Sequence, residues 1–459
     1  MPGTPDDHTA AGVAEVGAGR LTVRVNKAAA LHSLAEDALG MPLPVRLRLW
    51  DGSVAGPSGA PTVVVSDKRA LRHVLHSPGE LGVARAYVKG WLDVEGDLGD
   101  GFRTLWAAVR DARAADPQAG QVRITPRLAA RAAWLAVRVG AVGRRPEVPA
   151  AEAQLSGDLH SRERDREAIS HHYDLSNDFY ELVLDPQMTY SSGFHRTPDV
   201  PLEQAQRDKL DLVCRKLDLG PGKRLVDIGC GWGALALHAA EHYGVHVVGV
   251  TLSSEQRDFV LARAAERGLA GRVDVSLRHF RDLSGAGVGD GQIDAVASLE
   301  MGEHVGDAEY AEFTAAIHRY LRPGGRVLIQ QMSRSNGQKG DRPGGGPFIE
   351  TYIAPDMHMK PLWRTLQMIS EPGLEIRDVQ ALREHYPLTV AGWLHNLESH
   401  WDEAVRVAGI ENARVWRLYL VGGALAFEEN RMGVDQVLAV KPGPDGASAF
   451  PLVRDWDDA

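Results

Sequence analysis

The stretch Leu225-Val-Asp-Ile-Gly-Cys-Gly-Trp-Gly233 is an apolar run that ends in D-x-G-x-G-x-G and leads directly into the helical pattern ALALHAAEHY. A buried strand turning through glycines into a helix is half of a βα unit, and such a unit is stable only within a parallel sheet covered by helices on both faces. The sequence beyond it supplies further units. VHVVGVTLS reads as a second strand and SEQRDFVLARAAERG as a second helix, while VDVSLRHF, IDAVASLE and GRVLIQQM read as three more strands. The expected fold is therefore α/β, a parallel doubly wound sheet with right-handed crossovers that runs to about residue 440. Glycines in the first turn let a ligand come close to the backbone, and free N–H groups at a helix start favour an anionic group. A dinucleotide site has G-x-G-x-x-G and an acid about 20 residues on, whereas here the spacing is G-x-G-x-G and the second strand ends at Thr251, so the phosphate reading loses ground.

The rest of the chain divides around this unit. At 459 residues, 44% apolar and 24% charged, it is long enough for two to three domains, which excludes a small binding module and wholesale disorder. Residues 1–20 read as a disordered leader. Residues 21–146 read as an N-terminal α+β domain, with short alternating runs (LTVRV, VRLRLW, TVVVSD) giving way to helical patterns from Lys68 onward. Residues 147–165 read as a linker, 166–445 as the α/β domain with a helical cap, and 446–459 as a tail. The Gly-rich stretch 334–348 reads as a loop.

The formal net charge of -10 argues at first sight against an anionic partner, but the charge is segregated. Residues 117–146 hold six arginines and no acid, so the remainder carries -16. Leu128, Ala132, Leu135 and Val139 recur at helical spacing there. That describes a basic amphipathic helix, which suits either a docking face for an anionic bilayer, through Arg123, Arg127, Arg131 and Arg138, or an ordinary helix with a solvated arginine face. Two cysteines, Cys214 and Cys230, give no disulfide framework and point to a reducing cytoplasm. No apolar run is long enough to span a bilayer, so any membrane contact is expected to be peripheral, on the inner face.

Two further stretches accompany the glycine turn and its Asp227: Gly249-Val-Thr-Leu-Ser-Ser-Glu-Gln256 and Leu321-Arg-Pro-Gly-Gly325. Together they resemble the Rossmann-like class I methyltransferases that use S-adenosyl-L-methionine (SAM). His172-Tyr-Asp-Leu-Ser-Asn-Asp178, Met188-Thr-Tyr-Ser-Ser192 and Glu300-Met-Gly-Glu-His-Val-Gly306 are similar to the cyclopropane-fatty-acyl-phospholipid synthase family, which includes methylases making 10-methylene and 10-methyl (tuberculostearic-type) acids. The resemblance covers about residues 165–440, with a weaker similarity of the N-terminal part to that family's lipid-engaging domain. It implies that Asp227, Gly229 and Gly231 hold the methionine part of SAM, and that Thr251, Leu252 and Gln256 take the ribose. Tyr190 and Ser191 would close over the cofactor, with Phe280 and Leu299 flanking the adenine; simple core packing is the competing reading for those last two.

An isolated alkene is a poor nucleophile, so its attack on a sulfonium methyl needs a dry site, a fixed anionic or basic group beside the resulting cation, and a base to take a proton. In the family a bound bicarbonate serves there, gripped by a Glu, a Tyr, a His and the backbone at a Cys. Glu303 and Tyr386 occupy the matching positions in this chain, whereas Ser192 replaces the Cys and Gln330 the His. Gln cannot titrate near neutral pH, so bicarbonate stays an open question and Glu303 is itself a candidate base or anion holder. No metal is expected. The implied reaction is SAM-dependent C-methylation of an unsaturated acyl chain (oleoyl type) in a membrane phospholipid. A methylene-branched product, which a separate reductase would saturate, is preferred over a cyclopropane. A small-molecule methyltransferase and a catalytically altered lipid-binding subunit compete with acyl methylation as readings of the whole chain. A nucleic-acid partner is disfavoured by the acidic catalytic half, and the family adds the option of a homodimer.

Overall fold

Five strands form the centre of the main sheet: β5 (Arg224–Ile228), β6 (His246–Thr251), β7 (Val273–Leu277), β8 (Ile293–Leu299) and β9 (Leu321–Arg334). A computed structural model describes residues 26–152, 175–334, 345–355, 357–454 and 456. The sequence-based leader, most of the linker, residues 172–174 of the His172 motif and most of the Gly-rich loop lie outside the described residues. Strand β5 is buried at four of its five residues because helices cover both faces of the sheet. Its glycine turn takes left-handed backbone at Gly229, Gly231 and Gly233, at φ of +77°, +54° and +79°, where a side chain would be strained. At Gly233 a Cβ would also lie 2.7 Å from Val260, so this turn packs tightly against the helix Ser254–Glu266, whereas at Gly231 a Cβ would meet nothing within 4 Å.

The expectation of a wholly parallel sheet is corrected. The order is β10-β11-β9-β8-β5-β6-β7, and only β5 to β9 run parallel. Strands β10 (Glu375–Ala381) and β11 (Met432–Val440) close one side antiparallel, with β11 paired to β9 from Met432↔Arg334 to Val440↔Arg326. The alternation of strand and helix that marks the parallel half does not encode the direction of an edge strand reached through a long helical excursion. That excursion comprises the helices His385–Ser399, Trp401–Ala408 and Ile410–Glu428. Within the expected tail 446–459, Trp456 is buried in the sheet core and edge-on to Phe450, while Arg326 and Arg377 lie over the Phe450 ring.

A second sheet carries the N-terminal half, in the order β2 (Val54–Ala55), β1 (Arg46–Leu49), β3 (Thr62–Val65), β4 (Leu92–Glu95). This is the α+β unit expected from the alternating runs. Arg414, from the helix Ile410–Glu428, ties the two sheets' domains together by donating to the carbonyls of Tyr87 and Leu92 at 2.6 and 3.0 Å and pairing with Asp93. The basic segment forms the helix Pro126–Val139, capped by the Thr125 hydroxyl. Leu135 and Val139 are buried, against a cluster that includes Leu31, Leu34 and Leu71. Leu128 is half-buried on the same side. Both cysteines are free and buried, and burial pushes their thiols well up, which keeps them unreactive.

Candidate active site

The glycine turn, the end of β6, the start of the segment after β7 and the end of β8 meet around one cavity, at the carboxyl ends of the parallel strands, where ligands bind in open α/β sheets. All ten residues assigned to cofactor contact line it: Tyr190, Ser191, Asp227, Gly229, Gly231, Thr251, Leu252, Gln256, Phe280 and Leu299. The polar atoms there are set for a ligand. Thr251 Oγ1 donates to Gln256 Oε1 at 2.7 Å, which fixes the amide and leaves its buried Nε2 without a partner; Asp227 Oδ2 is likewise buried and unpaired. A donor beside a sugar diol, a carboxylate beside an ammonium, and the open space above Gly231 suit the ribose and methionine ends of SAM. Phe280 is 7% exposed and stacks edge-on with Phe313, so it packs in the core and lines the cavity at once.

The wall segment from Met188 to Ser191, and the two residues that follow it, are clamped into place. Asp185 accepts from the backbone N–H groups of Gln187 and Thr189 at 3.0 and 2.8 Å, turning the chain so that Met188 sits at a left-handed φ of +59°. Gln206, from the helix Leu202–Lys216, donates to the Ser191 carbonyl at 2.8 Å, and the Gly193 N–H donates to Thr389 Oγ1 at 3.0 Å. Tyr190 lies against Trp393 and Trp416, and its hydroxyl donates to that of Tyr419. The helical excursion thus supplies an aromatic wall, with Phe427 packed on Tyr386 at 4.3 Å between ring centres.

The four residues assigned to catalysis are rearranged. Tyr386, Gln330 and Ser192 do converge, but on Glu300 rather than Glu303. Glu300 Oε2 accepts from the Tyr386 hydroxyl at 2.6 Å, and Oε1 accepts from Gln330 Nε2 at 2.8 Å and from the Ser192 backbone N–H at 2.7 Å. Ser192 contributes only that N–H, since its hydroxyl donates to the Gly193 carbonyl. The orientation of Gln330 follows from its neighbours across β11. The buried Lys216 ammonium donates to Gln436 Oε1, so Gln436 Nε2 faces Gln330 Oε1 at 2.9 Å, and Gln330 turns its NH2 to Glu300. Glu300 lines the cavity, whereas Glu303, Tyr386, Gln330 and Ser192 stand behind its wall. The reason lies in the backbone: Glu300, the first residue past β8, adopts a left-handed φ of +52°, and Glu303 falls one short turn later, facing the backbone of Met332.

Glu300 is half-buried where it lines the cavity, and the other charges around it, Glu303, Asp227 and Lys209, are buried. Burial pushes Glu300 up, opposed by its three donors, and burial together with the Glu300 charge pushes Glu303 up. Two such neighbours cannot both ionise, and the one holding three donors keeps the charge, so Glu303, with an unpartnered Oε2, keeps the proton. Burial pushes Asp227 up to about 7 and Lys209 down to about 8. Lys209, fully buried, donates to Ser191 Oγ at 2.8 Å, and its charge is favoured by Glu300, Asp185 and Asp227.

Glu300 and Lys209 also line the cavity, and the sequence reading did not single them out. A signal existed for Lys209: with Gln206 it falls on the stripe Ala205, Leu210 and Val213 of its helix, and a polar group on a buried stripe needs a reason. Glu300 stood inside the quoted motif, but nothing in its spacing separates it from Glu303.

The profile of the mycolic acid cyclopropane synthetase family matches residues 160–437. A probable fatty acid methyltransferase of Pseudomonas putida is 37% identical over 90% of this chain and 96% of its own length. The tuberculostearic acid methyltransferase UfaA1 of Mycobacterium tuberculosis is 30% identical over 88% and 89%. Among solved structures, the mycolic acid cyclopropane synthase CmaA1, in complex with SAH and CTAB, is similar at a TM-score of 0.54 and 31% identity, covering 60% of this chain and 97% of that one.

Proposed function

Because the chain belongs to the mycolic acid cyclopropane synthetase family and is a SAM-dependent methyltransferase, we propose that it methylates the double bond of an unsaturated acyl chain (oleoyl type) in a membrane phospholipid. The observation that carries this is an acid-base group set at the cofactor cavity: the Glu300 carboxylate lines it, and the residues that hold that carboxylate, Tyr386, Gln330 and Ser192, are buried. Bound SAM supplies a sulfonium methyl, whose transfer to an alkene carbon leaves a carbocation on the chain. Asp227 and Gln256 hold the cofactor's polar ends, and the aromatic wall of Tyr190, Trp393 and Trp416 keeps water from the cation. A carboxylate within the cavity wall stabilises that cation and takes the final proton.

The product we propose is the methylene-branched chain, formed when a hydride shift precedes proton loss, with saturation left to a separate reductase. Gln330, which cannot relay a proton, supports one simple base and no shuttle. Mass spectrometry and NMR of lipids from a host rich in oleoyl chains test this. Exocyclic vinyl protons are expected, and upfield cyclopropyl protons in their place would assign the ring-closing reading.

The bilayer is reached, in this proposal, through the helix Pro126–Val139 on the inner face of the membrane. Its outer side exposes Trp134 (54%) and Val137 (68%), with Ile124 exposed just before it. Two of the four arginines assigned to docking are already engaged: Arg123 pairs with Asp116, and Arg131 with Asp37. Arg127 and Arg138 form no ion pair among the described residues, and Arg138 stacks over Trp134. At about 1 kcal/mol per cation near an anionic surface, R127Q with R138Q is expected to weaken binding to phosphatidylglycerol vesicles about 30-fold, and W134A to weaken it further. R123Q with R131Q should do less. Co-sedimentation checks this, with SAM affinity unchanged; equal binding by all variants would remove the helix from the docking surface.

A further inference from the structure

The donors that the family resemblance gives to a bound bicarbonate are spoken for. The Tyr386 hydroxyl, the Gln330 amide and the backbone N–H at residue 192 all close, at 2.6 to 2.8 Å, on the two oxygens of one protein carboxylate. Bicarbonate therefore does not fit this site. We propose that Glu300 is the anion of this active site, a carboxylate carried by the chain in place of a bound one, so that the enzyme turns over without bicarbonate. Tyr386, Gln330 and Ser192 are then positioning residues that act through Glu300.

Geometry supports this in two ways. Of the two neighbouring glutamates, half-buried Glu300 alone lines the cofactor cavity. It also holds a left-handed backbone at φ +52°, which costs a residue with a Cβ about 1–2 kcal/mol. The surroundings over-determine that conformation: the Glu300 N–H donates to the Gln330 carbonyl at 2.6 Å while the side chain is held at three points. Strain held this firmly marks functional positions. In the step assigned to Glu300, a C–H bond of the added methyl breaks and its electron pair moves to the cationic carbon. The proton passes to a Glu300 oxygen and is lost to water after product release.

The inference rests on the acyl-methylation reading, and E300G separates the two. Glycine accepts the backbone at no cost, and its missing side chain leaves the three donors facing a gap the size of a small carboxylate. In buffer scrubbed of carbon dioxide, the wild type is expected to keep its rate within twofold. E300G should stay folded with a lowered melting temperature, keep its SAM affinity, lose at least 100-fold in rate, and regain at least tenfold on adding bicarbonate. Carbon-13 NMR of labelled bicarbonate should show binding to E300G and none to the wild type, whatever the substrate proves to be. Bicarbonate binding by the wild type, a wild-type rate that depends on it, or a folded E300G that neither binds nor uses it would overturn the assignment. A wild type that methylates no acyl chain, alongside bicarbonate binding confined to E300G, would count against the function and leave the anion assignment standing.

Discussion

Glu300→Gln is expected to lower kcat about 10³-fold, while SAM affinity measured by calorimetry stays within about threefold. The amide keeps the volume and still accepts from Ser192 and Gln330, so the cavity wall persists and only charge and basicity are lost. Tyr386, whose hydroxyl now donates to Glu300 Oε2, can turn to accept from the new NH2. Glu303→Gln makes the contrast. Its carboxyl is set apart from the cavity and holds the shared proton, so an amide there imitates the form already present, and a loss below about tenfold is expected. Rates of acyl methylation for the two variants decide between them: the reverse order would return the base to Glu303. The acid limb of the wild-type pH profile belongs to Glu300, raised by burial, and should vanish in the Gln variant.

Lys209→Met is expected to cost about 3 kcal/mol or more of stability, because it leaves buried carboxylates without their cation. Lys209 is fully buried, and Glu300, Asp185 and Asp227 all favour its charge. The pH dependence carries the signature. In the wild type the unfolded chain holds the lysine proton up to its ordinary value while the folded chain releases it near 8, so this group makes stability rise between about 8 and 10.5. Asp227 acts in the opposite window. Folded, it holds a proton up to about 7, whereas unfolded it has released it above 3.8, so stability falls as pH rises between those values. In Lys209→Met the alkaline rise disappears, and without the cation Asp227 titrates higher still. The deficit against wild type is therefore larger at pH 8 than at pH 5, where carboxylates regain protons. Thermal melts across that range check this, and a deficit independent of pH would show that Lys209 acts through packing alone.

Much of this protein was legible in its residues because local chemistry dictated it. The glycine turn after β5 was readable from its own residues, whereas the ten residues assigned to the cofactor came from the family resemblance, and all ten line the cavity. The amphipathic helix Pro126–Val139 was likewise written in its spacing, since burying Leu135 and Val139 leaves the arginines outside. Harder to read were features that depend on the far side of the sheet. Nothing local in MGVDQVLAV says that β11 enters antiparallel between β9 and β10, yet that pairing places Gln436 opposite Gln330 and so turns the Gln330 amide toward Glu300.

The sequence by itself determined the parallel half of the sheet and its glycine turn, because periodicity and turn residues act over a few positions, while the family resemblance implied a cofactor site with an acid, a tyrosine and a glutamine beside it. Which of two acids three residues apart faces the cavity was decided by the tertiary structure alone. A left-handed backbone at Glu300, two hydrogen-bond donors brought from distant strand and helix positions and the Ser192 N–H select one carboxylate, and the exclusion of a second charge beside it sets the other's proton.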